Sequence, residues 1–324
     1  MDVPAELNQA IERELEGVPL SALRESVERL SERYRTHRGA SVSRFIADHD
    51  DIAAYVGYRM PATFAAVASA MSEVARIMGA WTPRSVLDVG AGPGAAAWAA
   101  VEVWPEIERC VLVDRDPRMI STGRRMTSDH PHRALARAEW IAGTQESLPQ
   151  SASFDLVVCA YTLNEIAVTH RQGFVDDLWR RTQGVLLLVD AGTPDGFRGI
   201  VGARRELLAA GAHMVAPCPH SDACPLEDSD WCHFSARVGR SRLHRALKQG
   251  ERSFEDEKFS YVAVARQPVS VADARIIRHP LTRKGYVQLR LCTPGGVIDA
   301  TVSRRQGAIY RAARDARWGD GWEP

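Results

Sequence analysis

The fold is decided by "VLDVGAGPGAAAWAA", Val86 to Ala100. A short apolar run carries the acid Asp88, glycines follow at Gly90, Gly92 and Gly94, and an alanine-rich helical stretch begins. Glycines between a strand and a helix let the backbone turn sharply and approach a ligand closely, beside a helix N-terminus. The next apolar run, "CVLVD", ends at Asp114, where an acid can take both ribose hydroxyls of a nucleoside. Asp116, just before Pro117, reads as the N-cap of the following helix. A dinucleotide fingerprint would need glycine at position 95, which is alanine. No G-x-x-x-x-G-K-[ST] occurs, which excludes a P-loop.

Outward from this loop, "SVLDVG", "CVLVD", "EWIAG", "FDLVVCA" and "GVLLLVD" are short apolar runs separated by helical or loop segments. Near-continuous hydrophobic strands alternating with helices predict a parallel sheet covered on both faces, an α/β fold. Upstream, Leu20, Leu23, Val27 and Leu30 and the stretch "FAAVASAMSEVARIM" have helical spacing, with Pro61 opening the second helix. Residues 1–80 therefore read as a helical N-terminal subdomain and 81–270 as the core, with a cysteine-rich loop at 214–236. Within that core, helices are expected over Arg198 to Ala210 and near Ser241 to Lys248, with a strand at "KFSYVAVAR". Residues 271–324 alternate differently: "ARIIRH", "YVQLRLC" and "GVIDATV" predict a small β extension with turns at "RKG" and "PGG".

The glycine loop, Asp114 and "AGTQESLP" together resemble class I S-adenosylmethionine-dependent methyltransferases, a Rossmann-like fold. That resemblance implies adenosylmethionine held by Asp88, Gly90, Gly92, Gly94 and Asp114. Where these enzymes commonly place an adenine-contacting acid, this chain has Thr144 and then Gln145. In "CAYTLNEI", after the fourth strand, the Asn/Asp-Pro-Pro-aromatic motif of amino-directed enzymes is missing. Cys159 sits inside an apolar strand and reads as core rather than as a nucleophile. Asn164 and Glu165 are the candidates for orienting an acceptor, with helix capping as the rival role, so no catalytic residue is assigned.

"APCPHSDACPLEDSDWCHF", Ala216 to Phe234, carries Cys218, Cys224 and Cys232. Neither gap fits the C-x₂₋₄-C of compact zinc modules or the C-x₂-C-x₂-C ferredoxin run. A fourth thiol is available at Cys292 in "RLCTPGG"; Cys110 and Cys159 lie in strands and read as structural. "YRMPATFAAV", the glycine loop, the cysteine segment, "EDEKFSYVAVAR", "RKGYVQLRLCTPGG" and "ARWGDGW" follow one another in an order that resembles the methyltransferase-like Rsm-type proteins of mitochondrial small ribosomal subunits and their bacterial relatives. The resemblance implies a factor for small ribosomal subunit assembly that binds rRNA, with Cys218, Cys224, Cys232 and Cys292 holding a [4Fe–4S] cluster. Zinc is the alternative, with His220 or His233 replacing one thiol, since soft thiolates suit either. Adenosylmethionine would then be a ligand without catalysis, or the cofactor of an active rRNA methyltransferase. A small-molecule methyltransferase with a structural zinc is the third reading.

Lys+Arg and Asp+Glu balance at 41 each over 324 residues, so no global field steers the chain to nucleic acid or membrane. Positive charge gathers instead between Asp273 and Trp318, and Arg275, Arg278, Arg283, Lys284, Arg304 and Arg305 are the candidate RNA contacts. The longest apolar runs are far short of a membrane span. The opening "MDVPAELNQAIERELEG" has no apolar run and is too acidic for a transit peptide. Six cysteines are too few for a disulfide scaffold. These features together predict a cytoplasmic protein, monomeric off the ribosome.

Overall fold

The structure, a computed structural model, describes residues 3–36, 49–226, 230–240 and 253–323. The helix expected near Ser241 to Lys248 lies outside the described residues. The five apolar runs are strands β1 (Ser85–Val89), β2 (Arg109–Asp114), β3 (Glu139–Ala142), β4 (Phe154–Ala160) and β5 (Thr182–Ala191). Three more, β6 (His213–Ala216), β7 (Phe234–Gly239) and β8 (Phe254–Ala265), complete an eight-stranded sheet. Its order is β3-β2-β1-β4-β5-β8-β6, with β7 beside β8. The first five strands pair in parallel and β8 runs antiparallel to β5, β6 and β7. This is the class I methyltransferase fold.

Helices cover both faces. On one lie α1 (Ala5–Glu14), α2 (Leu20–Thr36), α3 (His49–Ala54), a π-helical turn (Tyr55–Arg59), α4 (Met60–Met78), α5 (Ala95–Val103), α6 (Pro117–Thr127) and the short α7 (Arg133–Ala136). On the other lie α8 (Val168–Arg180) and α9 (Pro194–Ala209). Alternate strand residues explain why the runs are continuous: Val86, Leu112, Val158 and Leu187 join the first core, while Leu87, Val111, Val157 and Leu186 join the second. Leu7, Leu23, Leu30 and Met71 of α1, α2 and α4 belong to that first core: α4 packs on β6, β7 and β8, while α1 lies on α6 and α2 on α3 and the π-helical turn, so the N-terminal helices share the core of the sheet. Pro61 stands at the first turn of α4, directly after the π-helical turn that continues from α3, and the Asp116 carboxylate accepts from Arg118 N at 2.9 Å to cap α6.

The last fifty residues form a second sheet of β9 (Ala274–Ile276), β10 (Leu281–Arg283), β11 (Tyr286–Thr293), β12 (Gly296–Ser303) and β13 (Gly321–Trp322), with α10 (Ala308–Asp315) packed on it. The β11–β12 hairpin pairs from Tyr286↔Ser303 to Thr293↔Gly296. A small apolar cluster in which Ile277 and Cys292 meet Phe197, Val201 and Leu226 joins this sheet to α9 and the cysteine loop. Among the described residues no helix is long and apolar enough to cross a membrane.

Candidate functional site

The strand order reverses between β1 and β4, and in open α/β sheets ligands bind outside the carboxyl ends of the strands at that point. The glycine loop lies there. Gly90 N and Ala91 N donate to Val113 O at 2.9 and 3.1 Å, and Gly92 N donates to the Asp114 carboxylate at 2.7 Å. Asp114 also accepts from Asp116 N at 2.8 Å, so two backbone amides aim the acid at the loop. Gly90 has φ +72°, and a Cβ there would fall on Thr162 Oγ1. Only glycine fits between the two loops.

Asp88 is 1 % exposed. Burial pushes its carboxyl up to about 7, the Ala97 backbone N–H opposes this and the Asp114 charge adds to it. Its Oδ2 has no hydrogen-bond partner among the described residues. An orphaned acidic oxygen beside a glycine loop calls for a donor or a cation, and the sulfonium and amino groups of adenosylmethionine are both cationic. Thr144 caps a short 3₁₀ turn, its hydroxyl accepting from Glu146 N at 3.3 Å, and Gln145 behind it is buried. The residues expected to hold the cofactor thus stand at the carboxyl ends of β1 and β2 and on the loops after β1 and β3.

On the acceptor side the residues are engaged with one another. The Asn164 amide donates to Asp190 Oδ1 at 2.8 Å, its backbone N–H donates to Oδ2 at 3.2 Å, and Glu165 ends the 3₁₀ turn Leu163–Glu165. Buried Asp190 is itself pushed up to about 7, burial outweighing these bonds. Neither Asn164 nor Glu165 caps α8. Tyr161, which opens the Tyr161–Glu165 loop expected to orient an acceptor, donates from Oη to Glu257 Oε1 at 2.9 Å, and Arg59 of the π-helical turn pairs with the same carboxylate at 3.0 Å; Arg59 and Glu257 were not singled out from the sequence. Tyr161 has φ +57°, an uncommon conformation for a bulky residue, and π-helical turns often mark functional positions.

Cys218, Cys224 and Cys232 of the loop and Cys292 of β11 line one cavity of about 500 Å³ including its mouth. Cys110 and Cys159 are buried in strands elsewhere. Burial, reinforced by the neighbouring thiols, raises Cys232 well above the usual thiol range. Burial likewise pushes Cys292 up to about 12, with Arg204 and Arg275 pulling the other way. Among the described residues no group of three or more His, Cys, Asp or Glu is gathered closely enough to hold one metal ion. His220 is buried with Nε2 3.6 Å from Cys292 Sγ, whereas His233 stacks on Trp231 at 5.4 Å.

The six basic candidates separate. Arg275 is 1 % exposed and cannot present to a nucleic acid. Its place on the inner face of β9 has no signature in composition. Arg278 is half-buried and pairs with Asp230 at 2.5 Å. Arg283, Lys284, Arg304 and Arg305 are exposed at one end of the second sheet, where Arg304 N donates to Gly285 O at 2.8 Å and joins the two basic turns.

The chain is 31 % identical over 287 residues to "Ribosome assembly protein METTL17, mitochondrial" of Homo sapiens, an alignment covering 82 % of this chain and 61 % of that one. It is 25 % identical to "Rsm22-cox11 tandem protein 2, mitochondrial" of Schizosaccharomyces pombe, covering 83 % and 42 %. It is 21 % identical to "Ribosome assembly protein RSM22, mitochondrial" of Saccharomyces cerevisiae, covering 74 % and 61 %. The chain thus spans between two fifths and three fifths of the length of these relatives. Among solved structures, magnesium protoporphyrin IX methyltransferase of Synechocystis PCC 6803 with bound SAH aligns at TM-score 0.43 and 11 % identity, over 75 % of this chain and all of that one. The fold assignment rests on strand order, not on that alignment. The expected cytoplasmic location is overturned, because the relatives are named mitochondrial. Composition registers an aqueous, reducing solvent, and the cytosol and the mitochondrial matrix share one. The model of the family described as mitochondrial small ribosomal subunit Rsm22 matches residues 49–323, and the chain belongs to that family.

Proposed function

We propose that the chain is an assembly factor for the small ribosomal subunit, working in the mitochondrion as the names of its relatives place them. It holds adenosylmethionine at the Gly90–Gly94 loop and a [4Fe–4S] cluster on Cys218, Cys224, Cys232 and Cys292, and it meets rRNA through Arg283, Lys284, Arg304 and Arg305. The observation that carries this reading is the convergence of thiols from two distant segments on one cavity. Four soft thiolates suit an iron–sulfur cluster as well as zinc, and the resemblance favours the cluster. Bound adenosylmethionine supplies an activated methyl and a bound cluster supplies soft iron sites. The residues of this chain bind and orient these groups. Asn164 is committed to Asp190, and Tyr161 and Arg59 to Glu257, which favours adenosylmethionine as a ligand over its use in transfer.

Anaerobically purified protein tests the proposal through iron, acid-labile sulfide and zinc content, sedimentation with small-subunit precursors, and transfer of labelled methyl onto those particles. About four irons and four sulfides per chain, with co-sedimentation and no label, is the expected result. Stoichiometric zinc without sulfide overturns the cluster. Label in rRNA makes the protein an active methyltransferase. Absence of any particle or RNA affinity leaves a small-molecule enzyme.

A further inference from the structure

Two buried arginines line the cysteine cavity, and each keeps one nitrogen without an acceptor among the described residues. Arg204 of α9 is 4 % exposed and Arg275 of β9 is 1 % exposed, and both line the cavity with the four thiols. A guanidinium stays charged in any protein interior, and a buried charge without a counter-charge is expensive. Arg275 has a carboxylate partner in Glu73. Arg204 has none among the described residues; its Nη2 donates to the His220 and Asp222 carbonyls, at 2.8 Å each. Carbonyl oxygens orient a guanidinium without neutralising it. Arg204 Nε and Arg275 Nη2 find no acceptor among the described residues, and neither does Nδ1 of His220, the ring that touches Cys292.

Among the described residues that line the cavity, the cysteine sulfurs are the groups best able to carry an answering negative charge. Cys292 stands directly opposite Arg275 in the β11–β9 register. Neutral thiols would leave Arg204 uncompensated. Four thiolates carry more negative charge than a zinc ion or a four-iron core cancels, so a loaded site is an anion facing two cations.

We infer that Arg204 and Arg275 form the charge-compensating wall of the four-thiolate site, with Arg204 as its principal counter-charge. The inference rests on the reading of these cysteines as a metal–thiolate site. Arg275 also braces the surrounding chain. Its Nε donates to Pro217 O at 2.6 Å, and its Nη1 donates to Gly319 O at 2.8 Å and to Glu73. One side chain therefore ties the cysteine loop, the C-terminal segment and α4 to the wall of the site. Both arginines are positioning residues. Their charge and N–H groups hold the sulfurs and favour the more electron-rich form of a bound cluster.

The test uses the full chain, prepared anaerobically, as wild type, Arg204→Gln and Arg204→Lys. Iron retention against a chelator and the midpoint potential in a dye-mediated titration are read together. Arg204→Gln is expected to bind metal about 10–100-fold more weakly, on the order of other outer-shell losses, and to shift the potential negative. Arg204→Lys keeps the charge and recovers most of both. A purely structural role would lower stability without moving the potential. Wild-type affinity and potential in Arg204→Gln overturn the inference. Should that variant not fold, wild-type stability in Arg204→Lys combined with a potential as negative as that of cluster-bearing Arg275→Met does the same. Wild type carrying zinc refutes the cluster alone, and zinc competition in Arg204→Gln then decides the inference. Wild type carrying no metal refutes both.

Discussion

Asp88, the acid proposed to face adenosylmethionine, is destabilising on its own. Burial raises its folded-state pKa from 3.8 to about 7. As pH rises through that window the unfolded chain gives up the proton before the folded one does, so ligand-free stability falls with pH. Asp190, also raised to about 7, acts with the same sign. Asp88→Asn is expected to remove its share of the decline, at most about 4 kcal/mol, as read from urea midpoints at pH 4.5 and pH 8. The same variant should weaken adenosylmethionine binding and flatten its pH dependence, measured by calorimetry. The place of Asp88 and the glycines at a strand end was legible, because an apolar run followed by closely spaced glycines marks a sharp strand-to-helix turn. Arg204 was not. In "GARRELLAA" it looks like its neighbour Arg205, yet Arg204 is buried and Arg205 exposed. The available signal was helical phase: Phe197, Ile200, Val201 and Leu207 are the buried stripe of α9, and Arg204 stands on it.

At the scale of elements, β11 holds the second sheet together, flanked by β12 along its whole length and by β9 and β10 on its other edge. It also delivers Cys292 to the cavity. Cys292→Ser is expected to lose iron and sulfide and to raise amide exchange across 274–322 while β1 to β5 keep their protection. Full metal content in this variant would remove Cys292 from the ligand set. The five parallel strands were readable because both faces are covered and the apolar runs are unbroken. β7 was missed although Phe234, Ala236 and Val238 are buried alternately, a plain two-residue period. The metal-binding residue types just before it drew the reading toward a loop. β6 is only four residues long and pairs solely with β8, so its existence depends on a partner far along the chain.

The whole molecule is electrically balanced but unevenly so. Arg283, Lys284, Arg304 and Arg305 form an exposed cationic end, while Arg275 and Arg278 are turned inward and paired. Reversing the four exposed charges together should weaken binding to small-subunit rRNA and flatten its log–log salt dependence by roughly one for each phosphate no longer neutralised. An unchanged slope would place the RNA surface elsewhere. The long strand β8 has a consequence for synthesis. It lies between β5 and β6, yet it leaves the translating ribosome about sixty residues after β5 is complete. Throughout that interval β5 is an open edge with an unbroken apolar run from Val185 to Val189, the kind that recruits foreign strands. A nascent chain of this protein therefore needs shielding, by a chaperone or by its own early helices, until its eighth strand arrives to close the gap.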